Sequence, residues 1–405
     1  MKYFVQMPSA GVAGEAASFL TESRGPQAVA RPRTQPDLLI AELDDHDIVV
    51  LQDQGAKLWE DVQFAPLPPL EDLGGARVAD YALSREDNVP LVDQASLDDV
   101  LAHIKAPEAW AYSRGGGATI AIVDTGICAS LSQFSSPSPV DLPSAFRGQH
   151  WTDVKGHGSM CAVIAAGNKS AGGRFDGVAP DATVISARTT LMSTDLFLIF
   201  DELIDLKRQG AIAGPLVISN SYGLYTCTAP AGLPGDHPYL EVVLTAIDEG
   251  AFVVFAAGNN HYDVLCNNDP AAASPNTIWG VNSHDRVMSV GTVNRNNSNR
   301  DGSTPHANSS RGPGQWASDF PKPDCVAPTY GVVAWGCGYR FMDWWGTSGA
   351  CPQVAGLGAL ILARNPRLRP HEVAEIIRRS CVPLQAPREC VGAGLIDCLA
   401  AVQLA

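Results

Sequence analysis

The stretch ATIAIVDTGI (118–127) decides the fold. ATIAIV holds no charged residue, ends directly on Asp124, and is followed within two residues by Gly126. A strand with one wet face would alternate. A continuous run closed by turn residues suits a strand buried on both faces, as in a parallel sheet. The same pattern returns at 182–186, 215–219 and 251–257. Between these runs the apolar spacing is helical, at 158–166, 195–208 and 239–249, the last stopped by Gly250. Such alternation predicts a doubly wound α/β domain: a mostly parallel sheet with helices on both faces. Functional residues of such a domain belong at the carboxyl ends of its strands, which is where Asp124 falls.

Working outward, the 405 residues are 45% apolar and 18% charged, which excludes a mostly disordered chain. The 38 Gly and 29 Pro follow no G-X-Y period and point to many tight turns. A formal net charge of −15 argues against a nucleic acid or an anionic membrane as partner. No stretch reaches 18 apolar residues, so no bilayer-spanning helix is expected. The first twenty residues have one Lys and are broken by Glu15, so they do not read as a secretory signal, and a cytoplasmic location is expected. The ten cysteines are then expected to be mostly free, with Cys227 and Cys266, and the trio Cys381, Cys390 and Cys398, as the groupings suspected of bridges. No C-x-x-C pair or Cys/His zinc spacing occurs, so no metal site is expected.

Charge divides the chain. Residues 1–94 carry 7 basic and 16 acidic side chains, against 21 and 27 in the remainder. Within the acidic part, strands are expected at 2–6 and 37–43, a further one near 28–33, and an extended stretch at 57–64. Helices are expected at 14–22 and 48–54, the second capped by Asp44 or Asp45. This predicts a small α+β unit over 1–70, an acidic Pro-containing linker over 71–95, and a large domain over 96–405.

Three segments carry candidate chemistry. Asp124 ends a strand in VDTGI, His157 opens a helical pattern in GHGSMCAVIAAG (156–167), and Ser348 lies in GTSGACPQVAGLGALIL (346–362). A buried acid at a strand end can fix an imidazole tautomer and stabilise the imidazolium. A Ser at a helix N-terminus places its oxygen where free N–H groups and the dipole favour negative charge. Each residue alone could be a cap or turn residue; their order and context point to nucleophilic catalysis.

Taken together, the chain resembles the subtilisin-like (subtilase) serine endopeptidases over roughly 103–402. Besides the three segments, IKAPEAW (104–110), GVAPDATVISAR (177–188), VISNSYG (217–223), FVVFAAGNN (252–260), SSRGP (309–313), DCVAP (324–328) and GAGLID (392–397) carry the resemblance. It implies an Asp124–His157–Ser348 triad, with Asn259 as oxyanion donor beside the Ser348 backbone N–H, and Asn260 as the competing assignment. It also implies an extended peptide or protein substrate lying against Ser221, Tyr222 and Gly223. Ala256, Ala257 and Gly258 would form the opposite wall of the primary pocket and residues 278–280 its floor. Tyr222 also reads as ordinary strand packing. Neither wall carries an acid, so a Lys or Arg preference is not supported.

Three departures concern packing: Gly349 stands where the family usually has Met, Ser159-Met160 where it has Thr-His, and Cys351 where a small Ser is common. The loop 168–176 has the length of the family's calcium loop, yet CASLSQF (128–134) brings no carboxylate to complete it. No cofactor is therefore expected to be required, and a structural calcium is not supported. Residues 1–70 resemble, weakly, the family's inhibitory prosegment, making the N-terminal unit an expected intramolecular inhibitor. Two other readings stay open on the sequence: acyl transfer to an amine, giving ligation or cyclisation, and peptide binding without turnover.

Overall fold

The computed structural model describes residues 1–65, 95–131, 133–224, 232–262, 266–294, 304–316, 320–342 and 344–405. The expected linker over 71–95 thus lies outside the described residues, except for Ala95.

The acidic N-terminal part forms its own antiparallel sheet from β1 (Lys2–Gln6), β2 (Val29–Ala30), β3 (Leu38–Glu42) and β4 (Lys57–Glu60), in the order β2-β3-β1-β4. Its two helices are Ala10–Arg24 and Asp45–Asp53. The first starts earlier than its apolar pattern because Ser9 caps it, accepting from the Val12 N–H. The second carries a capping box between Asp44 and Asp47. Val5, Leu20, Leu39 and Leu51 are buried together in a separate small core.

The large sheet contains β5 (Thr119–Asp124), β6 (Ser136–Pro137), β7 (Thr183–Arg188), β8 (Leu216–Asn220), β9 (Phe252–Ala256), β10 (Met288–Asn294) and β11 (Thr304–Pro305), in the order β11-β10-β9-β8-β5-β7-β6. β12 (Cys325–Pro328) pairs with β10, and every pairing is parallel except β10 with β11. A separate antiparallel hairpin joins β13 (Gly331–Trp335) to β14 (Gly338–Met342). Side chains alternate across the sheet: Ile120, Ile122, Val217, Val254 and Ala256 enter one core, and Ala121, Val123, Ile218, Val253 and Phe255 the other. Helices His157–Ala166 and Gly346–Arg364 cover the first face, Ser193–Arg208 and Pro238–Asp248 the second. This is the doubly wound arrangement read from the apolar runs.

Successive strands leave β5 in both directions, so its carboxyl end is a topological switch point, the usual place for a cleft. Helix Gly346–Arg364 is long and apolar enough to cross a membrane, but 94% of its apolar window is buried in the domain and it packs as a core helix.

Candidate active site

Each of the three expected residues starts or ends a buried element. Asp124 closes β5, His157 is the first residue of its helix, and Ser348 lies in the first turn of Gly346–Arg364. The His157 Nδ1–H donates to Asp124 Oδ1 at 2.7 Å, and the same oxygen accepts from the Thr125 N–H at 2.7 Å. The ring is therefore fixed with Nε2 on its far side, buried and without a hydrogen-bond partner. The Ser348 hydroxyl donates to the Ser221 carbonyl at 3.3 Å, and the Ser221 hydroxyl donates to the Ser348 carbonyl at 2.9 Å. The structure thus brings a strand-end acid, an oriented imidazole and a helix-start hydroxyl to one end of the sheet.

The two asparagines separate cleanly. Asn259 Oδ1 accepts from the Thr347 N–H at 3.0 Å and the Thr347 hydroxyl at 2.8 Å, which anchors the amide beside Ser348. Its Nδ2 makes no hydrogen bond among the described residues, leaving a donor for a ligand oxygen. Asn260 is committed to its loop, with Nδ2 donating to Leu224 O at 3.1 Å and Oδ1 accepting from Asn259 N at 3.2 Å.

Of the expected substrate walls, Gly223 is a working sheet edge: its N–H and carbonyl both pair with Ala65, at 3.0 Å each. Tyr222 is a packing residue in its side chain, buried with its hydroxyl on Asn220 Oδ1 (2.9 Å) and Tyr239 (2.7 Å). Ala256, Ala257 and Gly258 follow β9, with the Ala257 N–H on Val290 O at 2.9 Å and the Gly258 N–H on Thr347 Oγ1 at 3.2 Å. The sequence missed Asn282, whose Nδ2 donates at 2.7 Å to Tyr222 O on one wall and at 2.7 Å to Ala256 O on the other. Nothing in its local sequence distinguishes it from a turn asparagine.

Asp153 was also missed. Its Oδ1 accepts from Thr125 Oγ1 (2.9 Å), Lys155 N (3.1 Å) and Gly156 N (2.7 Å), and its Oδ2 from Ser159 N (2.9 Å) and Ser159 Oγ (2.7 Å). One buried carboxylate thus takes the Gly156 and Ser159 N–H groups at the start of the His157 helix, where negative charge is favoured, and holds the Thr125 hydroxyl that accepts from the Gly158 N–H at 2.9 Å. The acid three residues before the GHG turn was the available signal. Beneath the site, Cys161 approaches His157 Nδ1 at 3.9 Å and Ser348 O at 3.5 Å, and burial pushes its thiol well above the usual range. Asp124, His157 and Cys161 offer ligand atoms within 4.8 Å of one another, the one such buried group among the described residues.

The acids in and beside the loop 168–176 have protein partners. Asp176 Oδ1 accepts from the Lys169 N–H at 3.0 Å, Asp181 takes Arg114 Nε at 3.0 Å, and Lys169 Nζ binds Asp98 at 2.9 Å. CASLSQF does reach this loop, but with Gln133, which packs where a side chain at Gly173 would go. Gln133 Oε1 is buried there without a hydrogen-bond partner, an oxygen of the kind a calcium ion takes as ligand.

Similarity to known proteins now bears on this geometry. The profile of the subtilase family matches residues 115–394, and the chain belongs to that family of serine peptidases. It is 30% identical over 357 residues to a calcium-dependent protease of Nostoc sp., covering 76% of this chain and 49% of that protein. The chain therefore spans about half the length of that relative. Mycosin-4 of Mycobacterium tuberculosis is 29% identical over 319 residues, covering 73% and 67% of the two chains. Among solved structures, MycP1 with its N-terminal propeptide removed superposes with a TM-score of 0.55 at 23% identity, covering 75% of this chain and 96% of that one, and supports the fold.

The expected cytoplasmic location does not stand. Relatives include three mycosins of Mycobacterium tuberculosis, and one solved neighbour is described as MycP1 from the ESX-1 type VII secretion system. The cysteines carry a physical reason for the correction. Cys128 and Cys337 form a disulfide across 209 residues, and Cys266 is disulfide-bonded as well; such bonds persist mainly in oxidising compartments. Cys227, its suspected partner, lies outside the described residues. Cys381, Cys390 and Cys398 are free, contrary to suspicion, as are Cys161, Cys325 and Cys351.

Proposed function

We propose that the chain is a serine endopeptidase acting through an acyl-enzyme. Ser348 attacks the scissile carbonyl, and His157 Nε2 takes the hydroxyl proton and returns it to the leaving amine. Asp124 holds the ring and stabilises the imidazolium, and Asn259 Nδ2 with the Ser348 N–H holds the oxyanion. The observation that carries this reading is the 2.7 Å His157–Asp124 hydrogen bond, with Nε2 buried and unpartnered on the other side of the ring. A fluorophosphonate probe tests it: labelling at Ser348 supports the reading, and its absence in active preparations overturns it. Product mass distinguishes hydrolysis from transfer to an amine; no observation favours transfer or silent binding.

The substrate is an extended peptide added as a strand along Ser221, Tyr222 and Gly223, opposite Ala256, Ala257 and Gly258. Residues 1–70 act as an intramolecular inhibitor, 71–95 as the linker and 96–405 as the catalytic domain. Support comes from the antiparallel bridges of Ala65 with Gly223 and of Gln63 with Met192, made by the segment that follows β4 along the edge read as the substrate's. Phe64 is buried edge-on against Tyr222 and Tyr239, at 5.9 and 5.3 Å between ring centres. The disulfide supports a working place outside the reducing cytoplasm. No calcium step enters the mechanism, although a relative is named a calcium-dependent protease.

A further inference from the structure

The β13–β14 hairpin has a tip, Trp335 to Gly338, that meets the residue just before His157. Gly336 N–H donates to Gly156 O at 3.3 Å. Gly156 has φ +91°, and a Cβ there would lie 2.7 Å from both Gly336 N and Trp335 Nε1, so the contact is backbone-close and demands glycine. The Trp335 ring stands edge-on to the His157 imidazole, 6.4 Å between centres and 83° between planes. Two observations fix that tip from outside the hairpin. Cys337 is bonded to Cys128, four residues beyond Asp124, and the Cys128 N–H donates at 2.9 Å to Ser159 Oγ, itself bound to Asp153. The chain of contacts runs from the hairpin, through the disulfide, into the same carboxylate that caps the His157 helix.

We propose that Trp335 and the Cys128–Cys337 bridge form a redox-held clamp on His157. Trp335 is a positioning residue: it restrains the imidazole that Asp124 holds from the other side. The bridge keeps Trp335 in place. Cys337 is exposed and a cavity of about 440 Å³ opens beside Cys128, so a small dithiol can reach the bond. A reductant thiolate attacks the disulfide to give a mixed disulfide; its second thiol then closes the reductant's own ring. The two sulfurs of Cys128 and Cys337 leave as thiols, having gained the two hydrogens the dithiol lost. Freed of the bond, the tip leans away from Gly156 and the imidazole loses one of its restraints. Misplacement of a catalytic group by about 1 Å can cost about 10²-fold in rate.

This inference rests on the peptidase reading, and the experiment separates the two. In the full chain, kcat and KM are measured against pH with and without dithiothreitol, alongside fluorophosphonate labelling at Ser348 and a melt to verify folding. The same is done for C128A/C337A, Trp335→Ala and Trp335→Phe. The clamp predicts that reduction and C128A/C337A each lower kcat by about 10-fold or more with little change in KM. Reductant then has no further effect on C128A/C337A. Trp335→Ala moves the acidic limb of the pH profile, and Trp335→Phe restores part of it. Full kcat in reduced wild type, a wild-type profile for Trp335→Ala, or an equal loss on reducing C128A/C337A overturns the clamp. A second readout needs no turnover: the low-field proton resonance of His157 Nδ1–H shifts or broadens on reduction, and an unchanged resonance refutes the clamp. Oxidised wild type that neither turns over peptide nor labels at Ser348 refutes the peptidase reading instead.

Discussion

Ser221 and Ser348 exchange hydrogen bonds, hydroxyl to carbonyl in each direction, at 2.9 and 3.3 Å. One acceptor of the Ser348 hydroxyl is therefore a carbonyl on the edge to which, in the proposed reading, an extended substrate would add. In the proposed reading, a substrate N–H added along this edge would compete with the Ser348 hydroxyl for that carbonyl. Ser348→Ala is expected to abolish peptide cleavage while leaving the melting temperature within a few degrees of wild type. An alanine variant retaining more than a small fraction of turnover sinks the mechanism.

If Asn259 holds the oxyanion as proposed, Asn259→Ala lowers kcat by about 10²–10³ with little change in KM. Asn260→Ala serves as the contrast. Its amide ties Leu224 O to Asn259 N, so its loss lowers stability and raises KM without that selective fall in kcat.

Asp153→Ala leaves five donors without their acceptor, at Thr125, Lys155, Gly156 and Ser159. The expected cost is about 2–4 kcal/mol in denaturant unfolding, with a parallel fall in kcat because the His157 helix start loosens. Unchanged stability would show that water or a neighbour replaces the carboxylate.

Ala65→Pro removes the N–H that donates to Gly223 O at 3.0 Å while sparing the reverse bond. If the N-terminal strand blocks the cleft, initial peptidase rates of the full chain rise several-fold over wild type. No rise, with the fold intact, argues for a docked domain without an inhibitory role.

His237 provides a pH dependence. Burial pushes its imidazole down to about 4, with Nδ1 accepting from Tyr239 N–H at 3.1 Å and the ring edge-on to Phe4 at 5.3 Å. The folded state thus binds fewer protons than the unfolded one between about pH 4 and 6.5, so stability is present above that window and lost as pH falls through it. Asp236, paired with Lys57 beside the ring, opposes the shift without cancelling it. His237→Asn keeps a capping acceptor and is expected to flatten the melting temperature between pH 6.5 and 4. An equally steep decline in the variant assigns the effect elsewhere; buried His306, pushed down to about 3, is the next group to examine.

What the sequence disclosed, and what it hid, follows from the range of the interactions. β5 and its neighbours were readable because burial on both faces writes an unbroken apolar run, and Asp124, His157 and Ser348 because each sits at the junction of such a run with a glycine turn. Asp153 and Asn282 act through oxygen and nitrogen atoms that could belong to any turn. The Cys128–Cys337 bond joins residues 209 apart with no shared local pattern, so nothing in the sequence corrected the compartment read from the first twenty residues. The Ala65–Gly223 pairing was hidden for a similar reason: main-chain atoms carry it, and these leave no mark on residue identity.

Helix Ser193–Arg208 has Met192 at its N-cap and no capping side chain of its own. Asp61, from the N-terminal unit, supplies the acceptor instead, taking Ser193 Oγ at 2.8 Å, Thr194 N at 2.9 Å and Thr194 Oγ1 at 2.7 Å. A segment that finishes another domain's helix is difficult to discard. Cutting the connector would first yield a nicked complex, still fastened at that carboxylate and at Gly223. The delay between synthesis and activity would then be set by the lifetime of the nicked complex rather than by the speed of the cut. If residues 1–70 inhibit as proposed, that lifetime would be the enzyme's own timer.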